Sequence, residues 1–203
     1  MKKSPIFEKT YQGYLTQIAD LDFTKLEDLL GIQASGNGAI INFFGKPYEV
    51  SGSGISGPEG SKPHLSTCVI LCKYLLMCPP YEPLGTSWVT FNDFKDAAPL
   101  INSFATTVTN PLAKLYSGRS SALESACKKI GGYPPVETFP YDVSIQFDAL
   151  PRIPLLLLFN DRDEGFPAHC SVLFEKRTES YLDMECVAMV GMLLCEYLKA
   201  VED

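Results

Sequence analysis

Two hydrophobic periods alternate along this chain, and the places where one gives way to the other predict its elements. Apolar residues cluster from Ala39 to Phe44 and from Tyr48 to Val50, joined by Gly45-Lys46-Pro47, which predicts a β-hairpin. A second strand region runs from Tyr141 to Phe174. Val143, Ile145 and Phe147 alternate with polar residues, as a half-buried strand should. After Leu150-Pro151-Arg152, the unbroken run Ile153 to Phe159 is too short for a helix and predicts a central strand. Asn160 to Pro167 then turns the chain, and Cys170 to Phe174 returns. The helical period appears from about Asp183 to Lys199, where Met184, Val187, Ala188, Gly191, Leu194, Cys195 and Leu198 share a face. It appears again from His64 through Cys68, Val69, Cys72 and Leu76.

Helix punctuation is dense between these regions. Thr24 to Glu27 and Ser121 to Glu124 fit capping boxes. Asn110-Pro111 predicts a helix start with proline in the first turn, while Gly31, Gly118 and Gly131-Gly132 supply left-handed stops. Ser51 to Ser61, rich in glycine and serine, is predicted to be a mobile loop inside the domain. Strands come in adjacent pairs rather than alternating with helices. The expected architecture is therefore a single α+β domain over residues 1–203, with a mostly antiparallel sheet of about five strands packed against helices.

Composition narrows the function classes. The chain has 203 residues, 46% of them hydrophobic, enough for one domain with a continuous core. Acidic residues outnumber basic ones 24 to 17, and only four arginines are present, which argues against a nucleic-acid partner. The longest apolar stretch, Val187 to Cys195, has about nine residues, against the roughly 20 of a membrane span, so no membrane is expected. Met1 to Lys9 lacks the apolar core of a signal peptide. Seven cysteines, an odd number, sit mostly inside apolar runs. They read as reduced, buried thiols in a cytoplasmic protein.

Several short patterns suggest chemistry. Gly52-Ser53-Gly54-Ile55-Ser56-Gly57 fits the G-x-G-x-x-G of dinucleotide sites, but Pro58, Gly60 and Pro63 prevent the helix whose N-terminus would meet a pyrophosphate. A loop of exposed amides remains, and Gly52, Gly54 and Gly57 join Trp88 and Arg152 as candidate ligand-binding residues. Gly85-Thr86-Ser87-Trp88-Val89 begins like a nucleophile elbow, yet valine stands where the strained turn needs glycine. His64, Cys68 and Cys72 recur every four residues. His64 and Cys72 lie about 12 Å apart along a helix axis, so three cannot share one ion. A metal site would instead join Cys68 and Cys72 to Cys170. No C-x₂-C pair exists, so no zinc or iron–sulfur motif is encoded and no cofactor can be named. In the acidic turn after Asn160, Glu164 beside Phe166 and Pro167 is an acid–base candidate, as is His169. Arg152 could hold an anion, or pair with Asp148 or Glu164.

Three stretches together resemble a known family. They are Pro83-Leu84-Gly85-Thr86-Ser87-Trp88-Val89-Thr90-Phe91, Leu150-Pro151-Arg152-Ile153-Pro154-Leu155-Leu156-Leu157-Leu158-Phe159, and Glu164-Gly165-Phe166-Pro167-Ala168 with Val172-Leu173-Phe174. In order and spacing the chain, from about Tyr11 to Leu198, resembles the domain-of-unknown-function family 3786 of anaerobic bacteria and archaea. The resemblance brings no catalytic residues. It implies that some relatives carry an appended iron–sulfur domain, so that here a partner would supply any cluster. The leading expectation is a cytoplasmic, non-catalytic accessory domain of anaerobic metabolism that binds a small molecule or a redox or iron–sulfur partner protein. Its surface would lie where the glycine-rich loop, the Trp88 segment and the acidic turn converge. The alternatives are an enzyme using Glu164 or His169 with Arg152, or a metal or redox site at Cys68, Cys72 and Cys170.

Overall fold

The strand-forming regions build two sheets rather than one. A computed structural model of the chain describes residues 5–202, so Met1 to Ser4, at the head of the stretch read above for a signal sequence, lie outside the described residues. The first sheet is an antiparallel meander of β1 (Gln33–Ser35), β2 (Gly38–Phe43), β3 (Lys46–Ser51) and β4 (Gly54–Ser56). The second contains β5 (Trp88–Thr90), β6 (Val143–Leu150), β7 (Ile153–Asn160) and β8 (His169–Glu175), in the order β5-β8-β7-β6 and antiparallel throughout. The α+β class and the antiparallel pairing are as expected. The count of about five strands was too low because β1, β4 and β5 have three residues each, too few to show a period.

The expected hairpin of β2 and β3 turns on Phe44-Gly45, with φ of 47° and 72°. Two positive φ values in succession are the primed turn that matches strand twist. Phenylalanine is held in this unfavourable region by contacts on both sides. Its N–H donates to the carbonyl of Ala149 in the second sheet, and its ring packs edge-on against Phe43 and Tyr197. The turn thus ties the two sheets together. In β7, Leu155, Leu156 and Leu157 are all fully buried, so both faces of this strand are covered. Each such side chain contributes about 2 kcal/mol of apolar burial.

The helices are α1 (Pro5–Ala19), α2 (Glu27–Leu30), α3 (Leu65–Leu76), α4 (Ile101–Phe104), α5 (Asn110–Tyr116), α6 (Ser120–Lys129) and α7 (Met184–Ala200). Helix α7 begins where its pattern predicts. Asp183 caps it by accepting from the Cys186 N–H, and its apolar face packs against α3 and α6. Helix α1 was not foreseen. It buries Leu15 and Ile18 and lies along α3.

Four local expectations change. The Ser121 to Glu124 capping box is not formed, because α6 already starts at Ser120 after Arg119 and has no side-chain cap. Thr24 donates its hydroxyl to Asp22 within a 3-10 turn instead of capping α2. Asn110-Pro111 does not start a helix: α4 and α5 are joined by a π-helical stretch, Ala105–Thr109, and Asn110 has ordinary helical angles. Pro111 has no N–H to give the preceding turn, and a π turn absorbs such a mismatch without breaking the helix. The hydroxyls of Thr106 and Thr107 bond back to the carbonyls of Asn102 and Ser103. Finally, Ser51 to Ser56 is no free loop but the β3–β4 hairpin. Gly52 sits where a Cβ would come 2.5 Å from the Cβ of Ala19, and Gly54 adopts a φ of 145°. Packing and backbone geometry therefore account for the first two glycines of the dinucleotide-like pattern.

Candidate functional site

Two of the chain's four arginines meet at one corner of the second sheet, although 25 residues separate them in sequence. Arg152 occupies the tight β6–β7 turn, where Leu150 pairs with Ile153. Its N–H donates to the hydroxyl of Tyr74 on α3, and that hydroxyl donates to the carbonyl of Leu30 at the end of α2. Gly31, at φ 65°, ends α2 there, and a Cβ on it would come 2.9 Å from Pro151. Without that Cβ, the Arg152 side chain can cross the end of α2, where Nη2 donates to the carbonyl of Asp28. Arg177 follows β8 in a 3-10 turn, Lys176–Ser180. Its Nε donates to Glu175 at 2.5 Å in a pair whose side chains are only 16% and 11% exposed.

A strap without helix or strand, Cys78 to Ser87, crosses this corner on its way from α3 to β5. Pro79, Pro80 and Pro83 keep it extended. Its far end is fixed where the carbonyls of Gly85 and Ser87 accept the N–H groups of Arg177 and Lys176. From the middle of the strap, one carboxylate oxygen of Glu82 lies 3.5 Å from Nη1 of Arg152 and 3.4 Å from Nη1 of Arg177. Charge-assisted hydrogen bonds are usually about 2.7–2.9 Å long, so Glu82 spans the two guanidinium groups loosely. Behind it stands Tyr181, fully buried, in the electrostatic field of Arg177, Arg152 and Glu82. Burial raises its phenol above the ordinary value, against the pull of the two arginines. Burial likewise raises Tyr74 and Cys78.

The bonding here is incomplete. The Tyr181 hydroxyl, the Thr178 hydroxyl and Nε of Arg152 are all buried and make no hydrogen bond. Native interiors leave few such groups, because each costs about 1–3 kcal/mol.

The remaining candidates are distributed elsewhere. Gly52 and Gly54 border two open clefts of about 480 and 420 Å³ that share Asn37, Ser51 and Ser53. Gly57 lines neither and instead turns the chain, its N–H donating to the carbonyl of Ser61. These clefts lie at the Gly36 end of the meander, whereas Gly31 and Arg152 lie at the other end of β1. Trp88 pairs with Glu175 and so belongs to the arginine corner. Glu164 and His169 are exposed at the opposite end of β7, where Asn160 pairs with His169. Eight strand residues at about 3.3 Å each put them roughly 25 Å from Arg152. The expected convergence of glycine loop, Trp88 and acidic turn is therefore absent, and Arg152 pairs with Glu82 rather than Asp148 or Glu164. Asp148 instead accepts from the Tyr133 hydroxyl.

The cysteines divide as well. Cys68 and Cys72 lie on α3, next to Tyr11 and Tyr48. Cys170 on β8 instead has Cys127 and Cys195 among its neighbours. Burial pushes the thiols of Cys72 and Cys127 up to about 12 and raises Cys170 and Cys186 further still. Among the described residues, no group of three or more His, Cys, Asp or Glu side chains could hold a metal ion.

Glu82, Arg177, Tyr74 and Tyr181 were not singled out from the sequence. Scarcity of arginine was the one available signal, and it identifies residues without saying which of them meet. No helix among the described residues is long and apolar enough to cross a membrane. No curated protein and no solved structure matches the chain. The profile of DUF3786, a domain of unknown function, matches residues 22–197, a span that includes the strap, both arginines and Tyr181, and the chain belongs to that family.

Proposed function

We propose that this chain is a non-catalytic binding module whose ligand site is the corner where the strap crosses Arg152 and Arg177. One observation carries the reading: a fully buried tyrosine hydroxyl without a hydrogen-bond partner, placed behind two arginines that share a single loosely held carboxylate. Folding alone gains nothing from such an arrangement, whereas a ligand that supplies the missing partners does. The residues suited to proton transfer, Glu164 and His169, lie exposed at the far end of the sheet, which weakens the enzyme reading. The module serves as a cytoplasmic accessory domain of anaerobic metabolism, and the ligand is a small molecule or the bound group of a redox partner.

The test is a thermal-stability screen of the full chain against small metabolites, with each ligand quantified before and after incubation. The reading expects a rise in melting temperature with ligand returned intact. Consumption of the ligand by the wild-type chain, lost in Arg152→Gln, would contradict it, because the same corner would then be catalytic.

A further inference from the structure

We propose that Arg152 and Arg177 form an oxyanion site, that Glu82 occupies it as an internal stand-in, and that a carboxylate- or phosphate-bearing small molecule binds by displacing Glu82. This deepens the binding-module reading and rests on it.

The charges favour this chemistry. With Glu82 in place the corner holds two guanidinium groups and two carboxylates, Glu82 and Glu175. Glu175 is committed, being short-bonded and largely buried with Arg177. Glu82 differs from it in each respect. Its side chain is 54% exposed, only one of its oxygens reaches the arginines, and both distances exceed those of good charge-assisted bonds. With the Glu82 side chain swung out to solvent, the corner keeps a net positive charge and a planar donor suited to a carboxylate or phosphate.

Donor supply points the same way. Nε of Arg152 and the hydroxyls of Tyr181 and Thr178 can all donate, and none has an acceptor. Of the three, the Tyr181 hydroxyl shares the field of both arginines and Glu82, and a ligand with two or more oxygens can meet both guanidinium groups, which a single Glu82 oxygen reaches only loosely. Buried Pro79 and Pro83 and the bonded carbonyls of Gly85 and Ser87 hold the strap backbone, so displacement needs only the exposed Glu82 side chain to swing out between the exposed Tyr81 and Leu84.

The test is a calorimetric titration of the full chain with inorganic phosphate and, separately, succinate, at matched low ionic strength. Wild type is compared with Glu82→Gln, Arg152→Gln and Tyr181→Phe. If Glu82 fills the site nine-tenths of the time, removing its charge tightens the apparent affinity by about tenfold. The preferred anion of the pair identifies the head group. Arg152→Gln should weaken binding at least tenfold, and Tyr181→Phe should weaken it while leaving the fold intact. Equal affinity in wild type and Glu82→Gln overturns the stand-in role. Binding unchanged in both Arg152→Gln and Tyr181→Phe places the anion elsewhere and overturns the site. If folded Glu82→Gln binds neither anion, the oxyanion chemistry is wrong. A neutral metabolite that stabilises the chain in the screen above would then preserve the broader reading.

Discussion

The two ends of β7 carry turns of similar polarity and opposite condition. At the Asn160 end, Asp161 accepts from the N–H of Gly118, the hydroxyl of Ser120 and the N–H of Arg162, and Asp142 accepts from the N–H of Asp161. These bonds close the turn and fix the start of α6, and the buried hydroxyl left without a partner near this end is that of Ser144, opposite Leu158 on the neighbouring strand. At the Arg152 end, buried donors are left over, and the bridging carboxylate comes from a strap with no regular structure. A charged turn with completed bonds is explained by the fold it holds. A charged corner with incomplete bonds is explained by something the fold alone does not contain. The acidic turn, conspicuous in sequence, is thus a structural joint, and the arginine corner is the site we propose.

The largest expected effect that sharpens this contrast is Arg177→Ala. It leaves Glu175 largely buried without its partner and should cost about 3 kcal/mol of stability, read by denaturant unfolding. A loss under about 1 kcal/mol would mean that Glu175 escapes to solvent and that the corner is looser than described. Next comes Asp161→Ala. Losing the cap on Gly118 and Ser120 should cost about 1 kcal/mol.

That turn also predicts a pH response. Hydrogen bonding from Gly118, above all, holds the Asp161 carboxyl below its ordinary value. Its contribution to stability is therefore present above pH ~4, near the unfolded value, and lost as pH falls through the lower folded value. Asp161→Asn should flatten the melting profile between pH 5 and pH 2. An unchanged acid limb would remove Asp161 from the account.

The smaller effects run in the reverse direction. Tyr181→Phe removes a buried hydroxyl without a partner and should stabilise the free protein by about 1 kcal/mol. If it destabilises instead, that hydroxyl is bonded in solution and the two ends of β7 are more alike than they look. Glu82→Gln should change stability least, by about 0.5 kcal/mol or less, because exposed ion pairs contribute little.

What the sequence disclosed follows the range of the interactions involved. Val143 to Phe174 could be read as three strands because alternation and apolar runs are local, and α7 could be read from its seven-residue face. Asn110-Pro111 misled because a proline at a helix start and a proline beside a π turn look the same until the flanking residues are placed. The glycines at 52 and 54 imitated a nucleotide loop for reasons of contact with Ala19 and backbone angle. At the site, Arg152 stood out as a cation beside a strand. Glu82 and Arg177, 95 positions apart, meet only because α3, the strap and β8 end at the same corner. No local pattern carries such a meeting.

The most direct measurement is an amide and guanidinium ¹⁵N chemical-shift titration of the full chain with inorganic phosphate. The account predicts saturating shifts centred on Arg152, Arg177, Tyr181 and the strap residues around Glu82, with the Ser51 to Ser56 hairpin and the Asp161 turn unmoved. Shifts centred on either of those two regions, with the arginine corner silent, would contradict it.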